Sequence, residues 1–317
     1  MLFFILKRMA MGVGLVLLVL TLIFSALQLV PGDPAVLLLS TGDGGAPSPE
    51  AVEKLREQLG LNQPLLTQYF SFLSGVFTGD LGESFRTSQP VLEAIGARLP
   101  RTLMLVVFAT VLSIVIGVAM GAIAARRGGW VDTLVTALSS IGVALPVFVF
   151  GAVLILLFSI TLKWFPAGGY VDPSKDLLGS LASLTLPAIA LAVGFAAQIA
   201  RMTRSAVLEV QTQDWVRTAK SIGLAPFTVF RRHVLRNSLT PVVTVVGIGF
   251  GTLLGSTVLV ERVFNYPGLS SLLVDGVTTR DYPVVQGVVI VIALLFIAIN
   301  IVVDIIYGIL DPRVRRA

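Results

Sequence analysis

Seven cationic side chains, Arg201, Arg204, Arg217, Lys220, Arg231, Arg232 and Arg236, lie within residues 201–240 against two carboxylates, Glu209 and Asp214. Such side chains bind and steer; they do not by themselves make or break bonds. Two readings are open: a basic loop that only sets membrane topology, or two short helices joined by a Gly-containing turn on the cytoplasmic side. Residue types that carry bond chemistry are scarce. His233 is the only histidine and there is no cysteine, which excludes a disulfide, a thiolate nucleophile and a thiolate metal site. No G-x-x-x-x-G-K-[ST], H-E-x-x-H or G-x-S-x-G pattern occurs. The chain lacks the residues for a phosphate-loop ATP site, a zinc hydrolase or a serine elbow. Glu261 and Asp304 end long apolar runs. Glu261 reads as an interface charge at a helix end. Asp304 reads as a water-exposed or Arg-paired carboxylate, the alternative being a cation route.

The elements that must position these residues are membrane helices. Of 317 residues 55% are hydrophobic and 13% charged, against about 25% charged in a soluble domain. The net charge of +5 sits in short clusters between apolar runs, which points to a membrane and away from nucleic acid. Six charge-free intervals, 9–32, 102–125, 133–162, 177–200, 237–260 and 282–303, run for 22 to 30 residues each, and a crossing needs about 20. A seventh, 58–79, carries Asn62, Gln63, Pro64 and Gln68 and reads as an amphipathic or loop helix. Six spans put both termini on one side. With the termini inside, inner segments hold 14 basic residues and outer ones 9; the positive-inside rule favours that orientation. Residues 1–30 read as a retained first helix, not a cleaved signal.

Between the spans, turn chemistry marks the breaks. Residues 31–34 stop the first helix, and 41–49 are rich in Gly and Pro. A helix starts at Ser48-Pro49-Glu50 and ends at Gly60; a second runs from Pro64 to Val76 and is broken at Gly79. The glycines of G-D-L-G-E-S, 79–84, permit a tight turn, read as structural packing before ligand contact. A short amphipathic piece with Val91, Leu92 and Ile95 precedes span two. Gly117 and Gly121 make a small-residue pair suited to close helix packing, within the chain or between chains. Pro146 inside span three predicts a kink, static or lining a path. Thr252 and Ser256 give the Gly-rich fifth span a small, weakly polar face. In the basic loop, Asp214 to Ser221 is helix-permissive with Trp215, Ala219 and Ile222 on its packed face. Gly223 is placed to cap that helix and Pro226 to start the next.

The run D-W-V-R-T-A-K-S-I-G-L-A-P-F-T-V-F-R-R-H-V-L-R-N-S-L-T-P, 214–241, resembles the EAA loop of binding-protein-dependent ABC importer permeases. It is most similar to the branch importing dipeptides, oligopeptides, nickel and glutathione. Ala219 and Gly223 match that loop's alanine and glycine. Arg217 and Thr218 depart from its Glu-Ala, and His233 to Arg236 from its I-x-L-P, with the proline delayed to Pro241; the branch shares these departures. P-G-D-P from Pro31, G-D-L-G from Gly79, R-N-S-L-x-P-V from Arg236 and V-E-x-x-F-x-x-P-G-L, carrying Glu261, Phe264, Pro267, Gly268 and Leu269, extend the resemblance from Lys7 to Arg315.

The resemblance implies an all-α integral membrane protein with six transmembrane helices and the type I ABC importer fold. It implies one permease domain over 1–317, an extracytoplasmic insertion over 31–99 and a cytoplasmic coupling loop over 201–240. Asp214, Trp215, Arg217, Ala219, Gly223, Arg232 and Arg236 would dock an ATPase subunit; Pro146, Thr252, Ser256 and Glu261 would line a pathway or gate. Implied partners are a second, homologous permease, two ATP-binding subunits that hold ATP and Mg, an extracytoplasmic binding protein and lipid. The implied location is a bacterial or archaeal plasma membrane. Peptides are the expected substrate, with nickel chelates or glutathione as alternatives. From hydropathy alone an ion-coupled secondary transporter also fits.

Overall fold

A computed structural model of the chain describes residues 2–28, 35–36, 48–58 and 62–310. Among the described residues the architecture is helical, and the one strand-like pairing is the bridge between Glu83 and Pro90. The helices in chain order are α1 Leu2–Gln28, α2 Pro49–Gln58, α3 Leu65–Thr78, α4 Val91–Arg127, α5 Gly129–Ala144 and α6 Val147–Thr161, the last ending in a π-helical stretch, Ile155–Thr161. Then come α7 Leu177–Gln211, α8 Asp214–Ser221, α9 over 226–238 with π-helical Val229–Leu235, α10 Thr240–Val263, α11 Leu269–Thr278 and α12 Tyr282–Leu310. The chain divides into two compact units: Met1–Arg8, Leu99–Ser271 and Ala298–Ala317 in one, Met9–Arg98 and Leu272–Ile297 in the other.

The larger unit is organised around α7. This helix is buried over most of its circumference, from Ser180 to Val207, as expected of a helix apolar all round. Small residues on it, among them Ala188, Ala192, Ala196 and Ala200, let neighbours approach closely; α5, α6 and α10 all pack on it. The Gly117 and Gly121 pair of α4 lies against α7 as well. A Cβ on Gly117 would stand 2.7 Å from the Ala196 carbonyl oxygen, so this pair is a contact within the chain. Ser113 reinforces the contact by donating to the Ala192 carbonyl at 3.2 Å.

Three sequence expectations change here. The amphipathic turn before span two and the span itself are one helix, α4, which continues through Pro100. Val91 and Ile95 are buried, and their packing beside Gly287 holds that first turn helical. Span three is broken rather than kinked: α5 and α6 meet at 104°. Pro146 drives its predecessor out of the helical region, and Leu145 and Pro146 are both extended, with ψ of 123° and 130°. Among the described residues five helices are therefore long and apolar enough to cross a membrane, or six if the bent pair counts as one. Finally, α7 does not stop at the charges: Arg201 and Arg204 are helical, and α7 runs on to Gln211. A charge ends a hydrophobic interval without ending a helix.

In the smaller unit α1 and α3 meet through Phe24, whose ring lies 5.4 Å from Tyr69 and 5.7 Å from Phe72. The α3 helix closes on Gly79 at φ 81°, a left-handed cap at the glycine where the sequence breaks the helix. The G-D-L-G-E-S turn is pinned by Asp281, a buried carboxylate far along the chain. Ser84 Oγ donates to its Oδ2 at 2.5 Å and the Phe85 N–H to its Oδ1 at 3.1 Å. That is the structural reading of this motif. The expectations on residues 31–34, 41–47, Gly60 and 311–315, and on the Asp304 side chain, fall outside the described residues.

Candidate functional site

The basic segment folds on its own apolar core. Val216 of α8 is fully buried and packs with Val229 and Val234 of α9, Val207 of α7 and Ala125 of α4. Gly223 turns the chain between the helices at φ 84°, and Pro226 opens α9 at its first position. The packed face differs from the expected one. Val216, not Trp215, is the anchor, and Ala219 is half-buried beside it. Trp215 and Ile222 are 41% and 70% exposed, and Phe227 is exposed too. Val216 and Ala219 stand three apart on one stripe, so Ala219 is on the packed face as expected while Trp215 and Ile222 are not. A bulky apolar triplet is left outside.

The same helix pair carries exposed cations. Arg217, Lys220, Arg231, Arg232 and Arg236 are exposed, and Arg217 pairs with Asp214 at 3.7 Å on the surface, a contact of small energetic weight. Arg126, at the end of α4, stacks over Phe227 and Phe230 at 5.2 and 5.6 Å and ties α9 to the α4 terminus. Exposed aromatic and aliphatic groups on the same helices as exposed arginines match the composition of a protein-docking face.

A cavity of about 140 Å³ lies where α5, α6, α7 and α10 meet. Gly142, Leu145, Gln198, Gly249, Thr252 and Ser256 are among its lining. The lining carries no ionisable side chain. Thr252 and Ser256, both on α10, are part of this lining. Pro146 does not line the cavity; it sets the break that puts Leu145 and Val147 there.

Glu261 is elsewhere. Its carboxylate is 0% exposed and accepts from Thr102 Oγ1 at 2.7 Å and from the Ser271 N–H at 2.8 Å. Thr102 Oγ1 in turn accepts from the Leu269 N–H at 2.7 Å. Gly268 lies against the carboxylate, where a Cβ would overlap both Glu261 and Thr102. The V-E-x-x-F-x-x-P-G-L motif is thus a buried knot that fixes the turn from α10 to α11, and Glu261 faces that knot instead of the cavity. Tyr266 closes it by donating to the Arg101 carbonyl at 3.1 Å. Burial, reinforced by Tyr170 and by the Glu261 charge, pushes the Tyr266 phenol far above its ordinary range, so it stays a donor. Sequence reasoning missed Thr102, Ser271, Gln198 and Val216. For Thr102 no local signal exists, because its partner is 159 residues away.

Among the described residues no cluster of three or more His, Cys, Asp or Glu could hold a metal. The profile of the binding-protein-dependent transport system inner membrane component matches residues 113–316, and the N-terminal profile of such membrane components matches 1–106. The chain belongs to this family. It is a transmembrane permease subunit of an ABC importer, and the permease itself is not catalytic. A Brucella abortus protein named as a peptide transport system permease is 47% identical over 312 residues, 98% of each chain. The glutathione transport system permease protein of Escherichia coli O6:H1 is 38% identical over 316 residues, 99% of each. Among solved structures, the inward-facing MetNI methionine ABC transporter matches with a TM-score of 0.57 at 20% identity, covering 71% of this permease and 100% of that chain. An amino acid ABC transporter matches at 0.50 and 16% identity, covering 70% and 94%. The permease therefore has an all-α, multi-span fold resembling the type I importer membrane domain.

Proposed function

We propose that this permease carries short peptides and that α8 and α9 form its coupling element, seated in a cleft of an ATP-binding subunit. The carrying observation is the exposed Trp215, Ile222 and Phe227 set on a helix pair that has its own buried anchor. Such an element moves as a body and presents a docking face at the same time. In this reading Arg217, Arg232 and Arg236 rim the face, Asp214 orients Arg217, and Ala219 and Gly223 let the pair close. The cavity with Thr252 and Ser256 is part of the pathway. Pro146 acts through the α5–α6 break, not as lining.

The whole arrangement has six spans, the bent pair counted as one, with both termini cytoplasmic in a bacterial plasma membrane. One permease domain covers 1–317. Residues 31–99 lie outside and 201–240 inside. The chain pairs with a homologous permease and two ATPases that hold ATP and Mg, and receives substrate from an extracytoplasmic binding protein. Closure of the ATPase pair moves α8 and α9, and the pathway switches the side to which it opens.

Peptides are favoured because the relative at 47% identity is named for them and because a lining without fixed charge places few demands on side chains. Glutathione, itself a small peptide, is the second reading, favoured by the Escherichia coli relative. The test is uptake by the reconstituted complex, with its binding protein titrated with dipeptides, longer peptides and glutathione. Tight peptide binding with ATP-dependent peptide uptake is expected. Uptake of glutathione alone would select the second reading. Uptake by the permease alone under an ion gradient, without ATP, would overturn both.

A further inference from the structure

We infer that the ion pair between Asp132 and Arg204 is a strut through which motion of the α8–α9 element reaches the cavity wall; this rests on the coupling reading above. Arg204 Nε and Nη2 donate to the two carboxylate oxygens of Asp132, a bidentate pair joining the first turn of α5 to α7. Both side chains are only part-exposed, at 32% and 24%. The same turn of α7 is held from a second side. Gly121 of α4 sits on it so closely that a Cβ there would meet the Ala200 carbonyl, Thr203 Cβ and the Arg204 backbone nitrogen. From Arg204, α7 runs without a break to Gln211, and α8 begins at Asp214.

The other end of α5 reaches the cavity. Gly142 faces α7 there, where its Cβ would stand 3.2 Å from Ala197 Cβ, and Gly142, Val143 and Leu145 line the cavity. The two ends of the α5–α7 contact differ in kind. Glycine against alanine is close but non-directional, and packed helices of that sort can slide in shear. A guanidinium fork on a carboxylate has one register and resists sliding. With the fork in place, a displacement of the α7 end carries α5 with it, and Gly142 and Leu145 move at the cavity. Without it, α7 can move while α5 stays. Asp132 and Arg204 are thus positioning residues that act through α5.

The experiment uses the assembled permease pair with its ATPases in proteoliposomes with the binding protein. ATP hydrolysis and uptake are followed together in Asp132→Asn, Arg204→Met, Arg204→Lys and the exchanged pair D132R/R204D. Each neutral variant should assemble, keep hydrolysing ATP and lose on the order of tenfold in substrate moved per ATP. The substrate concentration for half-maximal uptake should stay unchanged. The exchanged pair should recover most of the loss, and Arg204→Lys, which keeps charge but not the fork, should recover only part. Wild-type uptake per ATP in assembled neutral variants overturns the strut. Equal losses in Arg204→Lys and Arg204→Met overturn it as well, even where the exchanged pair does not assemble. Trp215→Ala, run alongside, separates the two readings. If it leaves ATPase docking and coupling intact, the coupling face is wrong; failure of the strut alone leaves docking dependent on Trp215.

Discussion

At the scale of single residues, burial decides what a charged or special side chain does. Glu261 reads from the sequence as an interface charge, or through the family resemblance as a gate residue, yet its carboxylate is taken up by Thr102 and the Ser271 N–H. Removing one partner of a buried hydrogen bond costs about 1–3 kcal/mol. Thr102→Val should therefore lower the thermal midpoint of the detergent-solubilised complex while leaving substrate preference alone. A changed preference at an unchanged midpoint would return Glu261 to the pathway. Gly223 is needed for another reason. No heavy atom lies within 4 Å of where its Cβ would be, but its φ of 84° strains any L side chain, by about 1–2 kcal/mol. Gly223→Leu should lose binding-protein-stimulated ATP hydrolysis. Gly223→Asn, which tolerates the left-handed region, should keep most of it. Equal losses in both would point to the open space and not to the backbone.

At the scale of elements, the break between α5 and α6 is the feature with most to lose. Proline forces its predecessor extended, and here that produces a 104° bend instead of the modest kink a membrane proline usually gives. Pro146→Ala removes that force, so the joint should sample straighter conformers. Spin labels on cysteines introduced at Ser140 and Ser159, in a chain that has none of its own, should report a broader and longer distance distribution. Uptake should fall with assembly preserved. A distribution identical to wild type would show that packing on α7, and not the proline, holds the bend. The π-helical stretches in α6 and α9 are not read from the sequence, because a π stretch of only one or two turns is too short to show a period of its own.

At the scale of the whole molecule, orientation in the membrane is the testable property. The 14 to 9 bias of basic residues and the exposure of both Ser48 and Ser221 make one experiment sufficient. An impermeant thiol reagent should label Ser48→Cys in intact cells and Ser221→Cys only after the membrane is opened. The reverse pattern would invert the topology and remove the coupling role of α8 and α9.

Hydropathy, turn residues and motifs carried the family, the helical class, the break at Gly79, the turn at Gly223 and the start of α9 at Pro226. These are legible because they depend on local rules: the length of an apolar run, the φ a residue tolerates, the hydrogen a proline lacks. The tertiary structure alone decided that Val216 is the anchor and Trp215 the outward face. It also decided that α7 passes through its own basic residues, that Asp281 pins the Ser84 turn, and that Asp132 meets Arg204. Each of these depends on which surface a distant element covers. A side chain's partner across 72 or 159 residues is set by packing geometry, which a linear pattern does not encode.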